Sequence, residues 1–324
     1  MRVLVTGARG MLGGAVARAL AERGDDVVVM QRTPSGLDLP EVLGDVADPA
    51  AVRTAVAGAD AVVHLAARVG VTGTWAQFVR ANVTGTATVL DAARAAGVER
   101  VVHVSSPSVA HSGRSLVGAP AEPADPDRAH GSYARSKAVA ERLALSAPGP
   151  AVVAVRPHLV WGPGDTQLVG RIVERARSGR LALVGSGSVL VDTTYVDNAV
   201  DALVAALDRA PALTGRAFVV SNGEPRPIAE LVARICAAAG LSAPARRVPY
   251  PVAWTAGAVA ESVWSVLRRV DDPPMTRFLA EQLSTAHWFD LREAVTALGW
   301  RPVVSLDEGF ERLAAALRPP TRSA

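Results

Sequence analysis

Residues 2–13 read Arg2-Val-Leu-Val-Thr6-Gly7-Ala-Arg-Gly10-Met-Leu-Gly13, and they indicate the fold class more directly than any other part of the chain. An apolar strand runs directly into glycines spaced as G-x-x-G-x-x-G, and a helix over residues 11–23 follows them. Glycine permits a tight turn and lets the backbone approach a pyrophosphate, while the helix N-terminus supplies amide donors and a positive dipole end. Because strand, glycines and helix come in the required order, the stretch predicts a dinucleotide-binding loop at Gly7, Gly10 and Gly13.

Short apolar strands go on alternating with helices along the first 160 residues. The predicted strands are residues 26–31, 60–64, 100–105 and 151–156, and the longer predicted helices are residues 74–96 and 133–146. Continuous apolar strands that alternate with helices indicate a parallel sheet covered on both faces. The predicted fold class is therefore α/β, a Rossmann-type doubly wound parallel sheet with a smaller, mostly helical C-terminal substrate lobe.

The alternation changes after Trp161, where Gly162-Pro163-Gly164 breaks the chain. We predict that residues 1–165 form the dinucleotide-binding domain and that residues 196–222 return to it. Residues 166–195 and 223–324 are predicted to form the substrate-binding lobe, because the chain beyond residue 221 is mostly helical in pattern and rich in proline.

The end of the second predicted strand, Gln31-Arg32-Thr33, bears on the choice of cofactor. NAD-binding proteins usually place an acidic residue there to hold the ribose hydroxyls, and none is present. Arg32, together with Arg9, could instead pair with a 2′-phosphate. The sequence therefore favours NADP(H), with NAD(H) as the alternative. The competing interpretation of Arg32 is a solvated surface residue.

The basic residues are divided very unequally, because 33 are arginine and Lys137 is the one lysine. A lysine in so arginine-rich a chain is a candidate for chemistry that arginine cannot perform. Tyr133 precedes it by four residues, so the two side chains are predicted to share one face of a helix. A cation beside a phenol lowers the pKa of the phenol, which can then exchange a proton near neutral pH.

Serines follow the fifth predicted strand, at the sheet edge where ligands bind in such folds. A hydroxyl there could hydrogen-bond a substrate carbonyl. The spacing alone does not choose among Ser105, Ser106 and Ser108. His64, at the end of the fourth predicted strand, is interpreted as a packing residue rather than as an acid.

Composition argues against several classes of protein. A net charge of +3 over 324 residues is no footprint for nucleic acid or for a membrane surface. The single cysteine, Cys236, permits no internal disulfide, and the histidines show no metal-binding spacing, so no metal is expected. The sequence shows no signal peptide and no apolar run of membrane-spanning length, so we expect a cytoplasmic protein without a transmembrane segment.

Together these motifs resemble the extended short-chain dehydrogenase/reductase family. The matching residues are Thr6-Gly7…Gly10…Gly13, Asp45-Val46, His64-Leu-Ala-Ala67, Ser105-Ser106, Tyr133…Lys137 and Arg156-Pro157…Trp161-Gly-Pro163. The resemblance implies that Ser106 and Tyr133 are catalytic, with Tyr133 as acid/base, and that Lys137 binds the nicotinamide ribose and lowers the pKa of Tyr133. The cofactor-binding residues that the motifs and the resemblance indicate are Gly7, Arg9, Gly10, Met11, Leu12, Gly13, Arg32, Asp45, Val46, Leu65, Ala66, Ala67, Asn82, Ser105, Tyr133, Lys137, Pro157, His158 and Val160.

Within this family the sequence is similar to the 3β-hydroxysteroid dehydrogenase-like branch, which includes the 2-alkyl-3-oxoalkanoate reductases. Nucleotide-sugar epimerases and dehydratases usually carry an Asn before Tyr-Gly-Pro and an Arg-Asp pair for the diphosphate, and here Leu159 and Val191-Asp192 stand at those positions. The resemblance implies an NAD(P)-dependent oxidoreductase that interconverts a ketone and a secondary alcohol on a lipophilic substrate of β-keto acid or 3-hydroxysteroid type. A nucleotide-sugar epimerase or dehydratase is the alternative.

Two further expectations concern the pocket and the assembly. Trp254, Trp264 and Trp288 fit a pocket for a lipophilic substrate, and core packing is the competing interpretation. Members of the family often dimerise through a two-helix face, so the resemblance implies a homodimer through residues 74–96 and 133–146. A regulator that senses the dinucleotide without turnover would be expected to lack Tyr133 and Lys137.

Overall fold

The apolar residues near the start of the chain lie at the centre of a parallel sheet in the computed structural model, which describes residues 1–70, 72–110, 113–267 and 273–318. Its strands are β1 (Arg2–Thr6), β2 (Asp26–Gln31), β3 (Glu41–Leu43), β4 (Ala61–His64), β5 (Arg100–Val104), β6 (Leu116–Ala119), β7 (Ala151–Pro157), β8 (Val160–Trp161), β9 (Leu183–Val184), β10 (Leu190–Val191), β11 (Thr194–Tyr195), β12 (Ala217–Val220), β13 (Arg226–Pro227), β14 (Arg247–Val248) and β15 (His287–Phe289). Its α-helices are α1 (Met11–Glu22), α2 (Pro49–Val56), α3 (Trp75–Phe78), α4 (Gly85–Ala95), α5 (Gly131–Leu145), α6 (Val169–Arg177), α7 (Val196–Leu213), α8 (Ile228–Ala238), α9 (Tyr250–Val266), α10 (Arg277–Ser284), α11 (Arg292–Leu298) and α12 (Leu306–Leu317). A π-helical segment, Val79–Thr84, joins α3 to α4, so the predicted helix over residues 74–96 is one helical run with a widened middle.

Within the described residues, seven of these strands form one sheet, in the order β12-β7-β5-β4-β1-β2-β3. Every neighbouring pair in it is parallel. Val3 on β1 lies between Val27 on β2 and Ala61 on β4. The chain builds the sheet in one direction from β1 to β3 and then in the other from β4 onward, which opens a crevice at the carboxyl ends of the central strands. The predicted Rossmann-type sheet is confirmed.

The two faces of the sheet bury separate sets of apolar side chains. Val3 and Val5 lie in a cluster with residues of α1 and α7, whereas Leu4 lies in the cluster of the opposite face, with residues of α2 and α4. All three side chains are fully buried. This alternation is the period-2 geometry of a strand whose two faces are both covered by helices, and it explains why the strand reads as a continuous apolar run.

The last part of the described chain packs onto the same core. Trp161 of β8 stacks on Phe310 of α12 with 4.4 Å between ring centroids, and it meets Tyr195 edge-on at 5.4 Å. β12 pairs with β7 in the main sheet, while β13, β10, β15 and β6 form a smaller sheet. Because α11 and α12 share the hydrophobic core of the main sheet, a separate substrate lobe that runs to the end of the chain stays a prediction.

The structure also bears on the single cysteine, on membrane-spanning helices and on metal-binding clusters. Cys236 is buried in α8 against Leu183 and Val232. No helix in the described part of the chain combines the length and the apolar character needed to cross a membrane. The same residues contain no group of three or more side chains that could hold a metal ion.

Candidate active site

The glycine loop after β1 depends on its missing side chains. Gly7 has a φ of 78°, and a Cβ at this position would lie 2.9 Å from the Ala66 amide nitrogen. A Cβ on Gly13 would overlap the Gly7 carbonyl oxygen. Gly10 caps α1 without a side-chain hydrogen bond, and no acidic residue occupies the first turn. Because the first amides of a helix have no partner within it, this end of α1 fits a pyrophosphate.

His64, the last residue of β4, is held in a buried polar chain. Thr6 Oγ1 lies 2.8 Å from His64 Nδ1, and Thr86 Oγ1 lies 3.1 Å from His64 Nε2. The Thr86 hydroxyl donates to the Asn82 carbonyl at 2.6 Å, so Nε2 donates to Thr86 and Nδ1 accepts from Thr6. Burial lowers the pKa of His64 to about 3, and the charge of Lys137 acts in the same direction. His64 is therefore a neutral packing residue, as the sequence predicted.

Asn82 lies in the π-helical segment and is almost fully buried. Its Oδ1 accepts from the Arg68 amide at 2.7 Å, and its Nδ2 donates to the Arg68 carbonyl at 3.1 Å and to Ser136 Oγ at 2.8 Å. The Ser136 hydroxyl donates in turn to the Tyr133 carbonyl at 2.8 Å. Asn82 thus ties the loop after β4 to the first turn of α5, while its contact with a cofactor stays a prediction.

Ser106 and Tyr133 face each other at the carboxyl end of β5. Ser106 bonds to Ser108 Oγ at 2.9 Å, and its hydroxyl is close enough to the Tyr133 phenol to affect its pKa. Ser105 is buried, and its hydroxyl has no hydrogen-bond partner among the described residues. Of the three serines that the spacing left open, Ser106 is therefore the one that faces the phenol. The catalytic roles of Ser106, Tyr133 and Lys137 stay predictions.

The pKa of Tyr133 is raised, whereas the sequence predicted that it would be lowered. Burial of the phenol raises the pKa, and the Ser106 hydroxyl acts in the opposite direction. The Lys137 ammonium is engaged elsewhere, because it donates to the Val104 carbonyl at 2.7 Å and lies 3.5 Å from His103 Nε2. A phenol with a raised pKa keeps its proton, so it can act as an acid toward a ketone oxygen.

Lys137 is the buried cation of the site, with an exposed fraction of 3%. Burial lowers the pKa of Lys137 from 10.5 to about 8, while the charge of Glu141 raises it. Glu141 is itself buried and paired with Arg156, whose Nε donates to it at 2.8 Å. One of the three N–H groups of the ammonium is used on Val104, which leaves donors for the hydroxyls of a ribose.

This burial gives Lys137 a measurable effect on stability. The unfolded chain keeps the lysine proton up to about pH 10, whereas the folded protein loses it above about pH 8, so the Lys137 contribution to stability rises with pH across that window. The shift corresponds to about 3 kcal/mol. Between about pH 7 and pH 10, wild type should gain up to that amount of unfolding free energy relative to Lys137→Met. Urea unfolding of both proteins at the two pH values measures this gain. A difference in unfolding free energy between the two proteins that is the same at both pH values would contradict the prediction.

Arginines gather at the end of β2, where the adenosine part of a dinucleotide would lie. Arg9 Nη1 donates to Thr33 Oγ1 at 2.7 Å. Burial raises the pKa of Asp45, but a backbone amide and the charges of Arg80 and Arg32 together hold that pKa below its usual value. Arg80 lies 3.1 Å from the Asp45 carboxylate. The positive charge predicted for this end of the site is therefore present around Arg9 and Arg32.

The segment after β7 is hydrogen-bonded at the same edge of the sheet. The His158 ring bonds through Nδ1 to the Asp192 carbonyl at 2.6 Å, and Asp192 is itself fully buried. Leu159 has a φ of 43°, in the left-handed region. Pro157 ends β7 and Val160 begins β8. The predicted contacts of Pro157, His158 and Val160 with a cofactor stay predictions.

A cavity of about 1110 Å³ opens beside Tyr133. It lies between the loop after β4, the start of α5, and the helices α9 and α10. Trp254, Trp264 and Phe278 give it apolar walls, whereas Trp288 packs against β6. Two of the three tryptophans singled out in the sequence thus line one cavity with the predicted acid.

The sequence motifs did not identify Arg68, a charged residue that lines this cavity. The signal that could have found it is its position, directly after His64-Leu-Ala-Ala67. Residues that follow a central strand of such a sheet at its carboxyl end lie where ligands bind.

A Rossmann-type fold with a buried lysine, and with a tyrosine of the same helix in the wall of a cavity, has the arrangement of a short-chain dehydrogenase/reductase. The chain matches the NAD dependent epimerase/dehydratase family over residues 3–221, and it belongs to that family. It is 45% identical to the 2-alkyl-3-oxoalkanoate reductase of Stenotrophomonas maltophilia, over 98% of this chain and 99% of the relative. It is 31% identical to the decarboxylating sterol-4-alpha-carboxylate 3-dehydrogenase of Mus musculus, over 95% of this chain and 88% of the relative. These relatives confirm the predicted family, its branch and the oxidoreductase class.

Solved structures of the family share the whole fold. The dTDP-glucose 4,6-dehydratase DesIV of Streptomyces venezuelae, with NAD bound, is 25% identical at a TM-score of 0.77, over 99% of this chain and 98% of that one. MoeE5 in complex with UDP-glucose and NAD is 26% identical at a TM-score of 0.73, over 98% of both chains. The fold is thus shared with enzymes of nucleotide sugars, which keeps the alternative substrate class open to test.

Proposed function

We propose that the protein interconverts a ketone and a secondary alcohol on a lipophilic 3-oxo or 3-hydroxy acid, with a nicotinamide dinucleotide as hydride carrier. The observation that carries the proposal is the protonated Tyr133 phenol, beside Ser106, in the wall of a cavity lined by Trp254 and Trp264. The names of the two relatives support the proposal. In a 2-alkyl-3-oxoalkanoate and in a sterol 4-carboxylate alike, the carboxyl group is attached to the carbon atom that neighbours carbon 3.

The residues of this chain would act on the oxygen of the substrate. The nicotinamide, when bound, supplies or takes up the hydride at the reacting carbon. In reduction Tyr133 donates its proton to the carbonyl oxygen, and in oxidation its phenolate takes the hydroxyl proton. The Ser106 hydroxyl donates to the same oxygen and stabilises the charge that develops there. The Lys137 ammonium would hold the ribose through the donors that it does not use on the Val104 carbonyl.

Absorbance of the reduced cofactor tests the proposal. We expect net oxidation of NADPH or NADH with a 2-alkyl-3-oxo acid, and net reduction of the oxidised cofactor with the matching 3-hydroxy acid. Conversion of a UDP- or dTDP-sugar without net consumption of cofactor would establish the alternative instead. Val191, fully buried in β10, argues against that alternative, because a valine side chain offers no charge to grip a diphosphate.

NADP(H) is proposed as the preferred cofactor, on the charge of Arg32 and Arg9 at the end of β2. Arg32→Ala should lower the ratio of kcat/KM for NADPH to kcat/KM for NADH by about 10-fold, since a charge-assisted bond to the 2′-phosphate is lost. The measurement is initial rates with both cofactors, and Arg301→Ala, at an exposed arginine beyond α11, is the matched control. An unchanged ratio in Arg32→Ala would refute the assignment and favour NAD(H).

We also propose that the protein is cytoplasmic and forms a homodimer. The predicted interface is the helical run from α3 to α4 together with α5. Light scattering of the purified protein measures the mass in solution. A monomer at micromolar concentration would contradict the dimer, whereas it would leave the proposed chemistry intact, because Tyr133, Ser106 and Lys137 lie in one chain.

A further inference from the structure

The Arg68 guanidinium, in the wall of the cavity, is a cation that has no acidic partner among the described residues. Its Cζ lies 5.4 Å from the centre of the Phe78 ring, and its Nη2 donates to the Thr72 carbonyl at 3.1 Å. Its Nε is buried without a hydrogen-bond partner among the described residues. No described carboxylate lies within 4.0 Å of this guanidinium. A half-buried cation in this state is stabilised by any anion that enters the cavity.

The other ionisable side chains of the described cavity wall, apart from Tyr133, have partners. Arg277 lies 2.7 Å from the Glu261 carboxylate, and the His130 ring lies 3.4 Å from the Glu281 carboxylate. The remaining walls include the tryptophans of α9. Arg68 is therefore the group in the described wall that is best suited to bind an anion.

Arg68 is also held at a defined place relative to the acid of the site. Asn82 bonds to both the amide and the carbonyl of Arg68, and it reaches Tyr133 through Ser136. A side chain at Gly73 would collide with the guanidinium, since a Cβ there would lie 2.7 Å from Nη2. The chain thus keeps room around this cation and fixes its backbone to the helix that carries the phenol.

We propose that Arg68 binds the carboxylate of the substrate and thereby makes the enzyme selective for 3-oxo and 3-hydroxy acids over neutral ketones and alcohols. The inference rests on the proposed function. With the carboxylate on Arg68 and the oxygen of carbon 3 on Tyr133 and Ser106, the alkyl chains of the acid extend along Trp254 and Trp264. A guanidinium suits this role because its planar donors match a carboxylate in two parallel hydrogen bonds.

The experiment compares an acid with its own methyl ester in Arg68→Met, which keeps an apolar stem over Phe78 and removes the charge. The oxidation of a 2-alkyl-3-hydroxy acid is followed, because 3-oxo acids lose carbon dioxide in solution. We expect kcat/KM for the acid to fall about 10- to 100-fold and kcat/KM for the ester to stay within about 3-fold. Arg68→Lys should restore part of the loss on the acid.

Arg135→Met is the matched control, since this exposed arginine of α5 also covers an aromatic ring, with 5.0 Å from its Cζ to the centre of the Trp75 ring. It should leave both rates unchanged. Equal losses on acid and ester in Arg68→Met would overturn the inference in favour of a structural role. An increased dissociation constant for NADPH in Arg68→Met, measured by protein fluorescence, would overturn the inference, because Arg68 would then bind a phosphate of the cofactor. A wild-type enzyme that converts neither compound would refute the proposed function, and this inference with it.

Discussion

Replacing Tyr133 by phenylalanine is expected to lower kcat about 1,000-fold while the dissociation constant of the cofactor changes little. The phenol oxygen is the one atom removed, and it is the proposed proton donor to the oxygen of the substrate. Phenylalanine keeps the ring and its packing, so the protein should unfold at the wild-type temperature. Single-turnover rates and cofactor titration by fluorescence separate the two effects.

The matched control for this change is Tyr250→Phe, because Tyr250 is an exposed tyrosine at the start of α9. It should keep the wild-type rate. If Tyr133→Phe turns over within about 3-fold of wild type, Tyr133 is not the acid, and the proposed mechanism fails.

Replacing Lys137 by arginine conserves the charge and should still lower kcat/KM by about 100-fold or more, from loss of donor geometry and overpacking. The ammonium occupies a small space, 2.7 Å from the Val104 carbonyl and 3.5 Å from His103 Nε2, with an exposed fraction of 3%. A guanidinium is larger and planar, and it cannot shed its proton when it is buried. We therefore expect displacement of α5 or of the loop after β5, with a lower melting temperature as well.

The measurements are kcat/KM, cofactor affinity and thermal unfolding of Lys137→Arg. The reverse exchange on an exposed face of the same helix, Arg135→Lys, is the matched control and should change none of them. An active Lys137→Arg enzyme would show that charge alone suffices at this position. The survival of one lysine among 33 arginines would then have no chemical reason.

Much of the fold could be predicted because it follows from local geometry. Val3, Leu4 and Val5 are all apolar, and a strand buries successive residues on opposite faces, so helices had to cover both sides of the sheet. The spacing of Tyr133 and Lys137 likewise placed both side chains on one helix whatever the rest of the chain does. The Rossmann-type sheet is confirmed for this reason.

The electrostatics of the site could not be predicted in this way. The pKa of Tyr133 is raised because the phenol is buried, and the Lys137 ammonium donates instead to a carbonyl on β5, 33 residues away in sequence. The choice of Ser106 over Ser105 depends on which hydroxyl the backbone after β5 turns toward α5. Both outcomes depend on contacts between distant segments, which spacing along the chain does not encode.

The sheet, the glycine loop after β1 and the shared helix of Tyr133 and Lys137 follow from the amino-acid sequence, because strand and helix periods act over a few residues. The tertiary packing leaves Arg68 with no acidic partner among the described residues. The acids of the described cavity wall, Glu261 and Glu281, come from the distant helices α9 and α10 and lie against Arg277 and His130. Whether a charge is paired depends on which segments meet in space, and that is set by the packing of the whole chain.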